Sequence, residues 1–122
     1  MSLLRPLDPA FPIDRQLAVE AAPVVLVNLF TLDKGDERAF LQIWQDDAQF
    51  MKRQPGFIST QLHRAIGDSP AYLNYAVWDS TGDFRAAFTQ PEFRTKIAAY
   101  PASAIASPHL FRKVAVPGIC VA

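Results

Sequence analysis

Residues 24–31 read VVLVNLFT, a β-branched, apolar run with no polar face. Such a segment predicts a strand covered on both sides, because a strand with one wet face alternates apolar and polar residues. Asp33-Lys34-Gly35-Asp36 follows and predicts a turn. Asp36 suits a helix cap, and Glu37 suits the positive end of the helix dipole. The helix runs to about Gln54. Phe40, Ile43, Trp44, Asp47/Ala48 and Met51 recur at the 3.6-residue period, and Pro55-Gly56 stops it.

Further along, Phe57–Ile66 reads as a second strand. Ile58, Thr60, Leu62 and Arg64 point one way; Phe57, Ser59, Gln61 and His63 point the other. Gly67-Asp68-Ser69-Pro70 is a turn. Tyr72–Trp78 is a third strand with Tyr72, Asn74, Ala76 and Trp78 on one face and Leu73, Tyr75 and Val77 on the other. Ser80 and Asp83 resemble a capping box opening a helix whose apolar face is Phe84, Ala87 and Phe88. Pro91 suits the first turn of another helical segment, with Phe93, Ile97 and Tyr100 inward. Pro101–Pro108 reads as a loop, and Leu110–Val116 as the last strand, ended by Pro117-Gly118.

The order is β-α-β-β-α-β, the split-βαβ pattern of a ferredoxin-like α+β sandwich with an antiparallel four-stranded sheet. Helices cover one sheet face. Val25, Val27 and Leu29 make the other face apolar as well, which predicts a homodimer joined through the open sheet face. Upstream, Pro6, Pro9 and Pro12 make residues 1–22 an extended arm packed on the domain or on a second subunit. Residues 23–117 form the domain and 118–122 a C-terminal tail.

Composition narrows the classes. The chain has 122 residues, half of them hydrophobic, enough for one real core. Twelve basic residues balance twelve acidic ones, so no charge favours a nucleic-acid or anionic-membrane partner. No apolar run is long enough to span a bilayer, and the start lacks the apolar core of a secretory signal. A soluble, cytoplasmic domain is the expectation. One cysteine, Cys120, makes no internal disulfide, and no Cys/His spacing suggests a metal site.

Polar residues that interrupt apolar strands mark a candidate pocket: Asn28 on the first strand, Gln61 and His63 on the second, and Asn74 on the third. A buried amide without partners costs about 1–3 kcal/mol, so Asn28 and Asn74 must bond neighbours, water or a ligand. Each residue alone also fits a structural role: a bulge or edge Asn, a hydrogen-bonded His, a packing Trp. Tyr72, Asn74 and Trp78 share a face, however, and an aromatic wall with an amide donor suits a flat, oxygenated aromatic ligand. Phe84 and Phe88 of the following helix are further candidates for substrate contact. Ser69, Ser80 and Ser107 lack a nucleophile-elbow context, and the five glycines form no phosphate-binding loop. Asp46 and Asp47, adjacent on a helix, do not face each other as a metal pair would.

Four stretches in order, VVLVNLFTLDKG (24–35), QPGF (54–57), LNYAVWDS (73–80) and QPEF (90–93), make the chain similar to the antibiotic biosynthesis monooxygenase domain, a ferredoxin-like fold that forms a dimeric α+β barrel. The resemblance implies a cofactor-free oxygenase that turns a phenolic or quinol ring into a quinone with O₂. It places the family's strand Asn on Asn74, its Trp on Trp78 and its second-strand His on His63. It also shows departures: Phe84 replaces a Tyr, and Ile97 or Ala98 replaces an Arg, with Lys96 nearest. A haem-degrading branch shares Asn28, but its helical Trp and His positions read Ala87 and Ile97, so the axial ligand is missing. For that chemistry His63 is the better base candidate, since its ordinary pKa lies nearest neutrality; Asn74 would donate to a substrate oxygen, Trp78 would pack on the ring or donate its indole N–H, Tyr72 is a second candidate donor and Asn28 a candidate pocket-floor residue. A non-oxygenase enzyme on the same barrel, or a non-catalytic small-molecule-binding or stress-response dimer, remains the alternative.

Overall fold

The computed structural model describes residues 3–122. Its strands are β1 (Val24–Thr31), β2 (Phe57–Arg64), β3 (Tyr72–Trp78) and β4 (Ile105–Phe111), all antiparallel, in the order β2-β3-β1-β4. The helices are α1 (Ile13–Gln16), α2 (Glu37–Lys52), α3 (Thr81–Phe88) and α4 (Pro91–Ile97). A single 3₁₀ turn, Lys34–Asp36, leads into α2. This is the ferredoxin-like α+β arrangement.

Strand pairing sorts the side chains into two faces. Asn28 pairs with Asn74 and with Pro108, and Leu62 pairs with Asn74, so all four lie in one row across the sheet. Leu26, Ala76, Thr60 and Leu110 form the next row on that face. These rows meet the helices. Two clusters fill the space between: Phe50, Trp78, Phe84, Phe88 and Phe93 at one end, and Phe30, Phe40, Tyr72 and Tyr100 at the other. Phe40, Trp78 and Phe84 are essentially inaccessible, and burying each such side chain contributes about 1.5–3 kcal/mol. Ring pairs such as Phe30–Phe40, edge to face at 4.9 Å, add directional packing.

Several sequence expectations need correction. β4 begins at Ile105, five residues before the strand read from Leu110, and it ends at Phe111. Pro108, which suits a loop in sequence, lies within the strand. β4 flanks only β1, so the missing N–H of a proline disrupts no second ladder. In β2, a bulge between Phe57 and Ser59 turns Phe57 toward the helices and leaves Ile58 half exposed, reversing the faces expected for both. Asp36 occupies the N-cap position of α2 but makes no cap bond; its carboxylate accepts from Ser103 Oγ instead. Ser80 does cap α3, accepting from the Asp83 N–H at 3.1 Å.

The arm folds back on its own domain. Leu4 bridges Ala106 in parallel, with bonds from Ala106 N to Leu3 O and from Arg5 N to Ala106 O, so the free edge of β4 is covered. The arm is not extended throughout, because Ile13–Gln16 forms a helical turn that buries Ile13, with Leu17 just beyond. Gln16 is buried and satisfied: its amide donates to Phe11 O and its carbonyl accepts from Leu110 N. Residues 111–122 are exposed, and Pro117-Gly118 closes a tight turn between Val116 and Cys120, with Gly118 at φ +76°.

Candidate active site

Between the sheet and the helices lies a narrow cavity of about 60 Å³. Asn28, Asn74 and Trp78 line it from the sheet, and Phe84, Phe88 and Phe93 line it from α3 and α4. Trp44, Asp47 and Met51 face it from α2. The walls are thus largely aromatic, with a few polar atoms set among them, the composition of a small-molecule site. An aromatic ring that enters must part the facing side chains, since the empty space alone is too small for it.

Five of the eight sequence candidates therefore meet in one place: Asn28, Asn74, Trp78, Phe84 and Phe88. Trp78 is 1% exposed and meets Phe57 and Phe84 edge to face at 5.4 and 5.6 Å. Asn74 is held by its neighbour strand. Thr60 Oγ1 donates to Asn74 Oδ1 at 2.5 Å, which orients the Asn74 amide and leaves its N–H₂ without a hydrogen-bond acceptor among the described residues. Asn28 Oδ1 is buried and has no hydrogen-bond partner among the described residues.

Three candidates lie elsewhere, and the first, Gln61, pairs with Tyr75 on the opposite sheet face and is exposed. His63 pairs with Leu73 on the opposite sheet face, exposed, with Nδ1 3.3 Å from Leu73 O. Strand periodicity forbids it from reaching the cavity that Leu62 and Thr60 face, so the base role expected of it is not available in this chain's own pocket. Tyr72 is on the cavity's sheet face, in the row of Phe30, but is not among the lining side chains. Its hydroxyl donates to Glu37 Oε1 at 2.6 Å, and Arg64 Nε donates to the same oxygen at 2.8 Å. The Arg64 and Tyr72 hydrogen bonds hold the Glu37 carboxyl down at about 2. Tyr72 is thus committed to a structural cluster.

Asp47 is the polar residue that sequence reasoning passed over. It is 8% exposed on α2 and lines the cavity. Tyr100 donates to its Oδ2 at 2.6 Å, and its Oδ1 has no partner. Burial pushes the carboxyl up to about 6, against the opposing pull of the Tyr100 hydrogen bond. The same burial, with the adjacent carboxylate, raises the Tyr100 phenol far above its ordinary value. Its signal was present in the sequence: Asp47 falls on the apolar stripe Phe40, Ile43, Trp44, Met51, where a charge has no packing reason to be. Among the described residues, no three His, Cys, Asp or Glu side chains converge as a metal-ligand set. None of the helices found among them is long and apolar enough to cross a membrane.

Residues 23–99 match the model of the family described as antibiotic biosynthesis monooxygenase. Deoxynogalonate monooxygenase from Streptomyces nogalater is 36% identical over 93 residues, 76% of this chain and 78% of that protein. The crystal structure of SnoaB, a cofactor-independent oxygenase from Streptomyces nogalater, superposes with a TM-score of 0.72 at 33% identity, covering 80% of this chain and 99% of SnoaB. A structure from Deinococcus radiodurans, 13% identical with a TM-score of 0.68, covers 80% of this chain and 99% of its own and shares the fold. This chain belongs to the antibiotic biosynthesis monooxygenase family.

Proposed function

We propose that the chain is a cofactor-independent monooxygenase that oxidises a phenolic or quinol ring to a quinone with O₂. The observation that carries this reading is Asn74: an amide oriented by Thr60, its N–H₂ unpartnered, set beside Trp78 in an aromatic cavity. The oxygenases to which the chain is similar support it.

Ground-state O₂ is a triplet and reacts slowly with a closed-shell phenol. Removing the hydroxyl proton makes the ring a far better one-electron donor. The phenolate passes an electron to O₂, and the radical pair combines to form a C–O bond at a ring carbon bearing hydrogen. The resulting peroxide loses that carbon's proton as its O–O bond breaks. This leaves a second C=O on the ring and releases hydroxide, which becomes water with the proton first removed. One oxygen atom enters the quinone and the other leaves as water. The Asn74 N–H₂ donates to the developing phenolate oxygen. Trp78, Phe84 and Phe88 stack on the ring and exclude water.

The open sheet face carries Val27, Leu29, Tyr75 and Phe111, of which Leu29, Tyr75 and Phe111 are each about two-fifths exposed. Such a patch supports a second copy of the chain docked sheet to sheet. His63 and His109 share that face and would lie in the dimer interface.

Oxygen uptake by the metal-free protein with quinols and polycyclic phenols tests the reading. Saturable uptake that falls roughly 10–1000-fold in Asn74→Ala is the expected result. A folded Asn74→Ala variant with unchanged kcat sinks the assignment. Uptake that is absent from the wild type across the panel sends the reading to the non-oxygenase alternatives.

A further inference from the structure

The mechanism above needs a proton acceptor, and the sheet does not provide one, because His63 faces away. The cavity does hold two buried acceptor atoms with no partner, Asn28 Oδ1 and Asp47 Oδ1. Unpartnered buried acceptors are costly and uncommon, and two in one cavity point to hydrogen-bond donors on whatever fills it. A phenolic hydroxyl is such a donor; a ketone, ether or quinone oxygen is not.

We infer that Asp47 is the base of the reaction, taking the proton of one ring hydroxyl while Asn28 Oδ1 receives a second, so that the cavity selects a dihydroxyarene. The inference rests on the oxygenase reading for its chemistry, and on the two orphan acceptors for its residues. Asp47 is built for the role. Tyr100 fixes one carboxylate oxygen of this cavity-lining residue and leaves the other without a partner among the described residues. Its titration lies near neutrality, where a base works best. The charged groups that act on it are few: Lys96 on α4 lowers its pKa and Asp46 on its own helix raises it, alongside the Tyr100 hydroxyl. In the cycle, Asp47 takes the hydroxyl proton to give the phenolate, and later returns it to the hydroxide released when the O–O bond breaks. Water leaves, and the carboxylate is restored.

The test combines kinetics with a titration that needs no turnover. With dihydroxyarene substrates, wild-type kcat/KM, which reports the titrations of the free enzyme, should rise with pH through a midpoint near 6. Asp47→Asn should lose that limb and lower kcat roughly 10²–10⁴-fold, with a small change in KM. Tyr100→Phe should keep the limb but move it to higher pH, because the lost donation stabilises the charged carboxylate. Asn74→Ala should slow turnover and leave the limb in place. For the second arm the probe is 1,2-dihydroxyanthraquinone, whose visible absorption changes when a hydroxyl ionises. Bound to wild type it should ionise at higher pH than when bound to Asp47→Asn, because a second negative charge beside a carboxylate is disfavoured. Identical dye titrations in the two proteins, or no saturable dye binding by wild type, overturn the inference. So does an Asp47→Asn enzyme with wild-type kcat and pH profile. Absent oxygen uptake with the dye difference intact would sink the oxygenase reading alone and leave Asp47 as the hydroxyl acceptor.

Discussion

Tyr100 Oη donates to Asp47 Oδ2 at 2.6 Å across the gap between the segment after α4 and the face of α2. The bond fixes a buried carboxylate on the helical wall of a cavity whose sheet wall carries Asn28, Asn74 and Trp78. A charge in that position works against stability, and this cost has a measurable pH signature.

Asp47 titrates at about 6 in the folded protein against 3.8 for the unconstrained group. A carboxyl raised in this way leaves stability intact below the unfolded value, where it is protonated in both states. Stability is then lost as pH rises through about 6. The shift corresponds to roughly 3 kcal/mol at neutral pH, as an upper bound. Asp47→Asn is therefore expected to raise the melting temperature at pH 7.5 and to gain nothing near pH 3.5. Thermal melts of both proteins across pH 3.5–8 check this. A neutral-pH loss of stability in the variant would contradict it. Higher stability with lower activity is the pattern of a group kept for function.

Thr60 is expected to act through Asn74. Thr60→Val keeps the shape of the side chain and removes the donor to Asn74 Oδ1. The amide then has no fixed orientation, and turnover should fall about 10-fold, since small misplacements of a catalytic group carry large rate costs. Measurement of kcat and KM in parallel should place the loss mainly in kcat.

Glu37 ties α2 to β2 and β3 by accepting from Arg64 and Tyr72. Those hydrogen bonds depress its carboxyl from 4.5 to about 2. The stability they confer is present above about 4.5 and is lost as pH falls toward 2. Acid unfolding of Glu37→Gln should accordingly be less steep with pH across that window than wild type. Because the pair is exposed, the difference should shrink in high salt.

Two local devices at the α3 end of the sheet should show in denaturant melts. Ser80→Ala removes the α3 cap and should cost roughly 0.5–2 kcal/mol. Gly56 adopts φ +86°, and a Cβ there would run into the Asp83 side chain. Gly56→Ala should therefore destabilise by more than the 1 kcal/mol or so of an ordinary glycine replacement.

The fold was legible where patterning was strong. VVLVNLFT and YLNYAVW are rich in β-branched and aromatic residues, and both strands have the boundaries their sequences predict. β4 was misplaced because IASPHLF contains a proline and small residues that read as loop, and only its place at the sheet edge makes it a strand. Asn28, Asn74 and Trp78 were legible as polar or amphipathic interruptions on one face. His63 was not resolved, because one residue of register separates the two faces and no local signal sets it. Asp47 was legible as an anomaly on an apolar helical stripe, but its partner Tyr100 is 53 residues away, and that pairing exists only in the folded chain.

In the proposed reaction O₂ supplies one oxygen atom to an aromatic substrate. The direct measurement is turnover of the best dihydroxyarene under ¹⁸O₂ in ordinary water, with the product analysed by mass spectrometry before quinone exchange. One ¹⁸O atom in the quinone, and none when the label is in the water, is the expected result. A product labelled only from water, or conversion with no oxygen incorporated, would contradict the monooxygenase account.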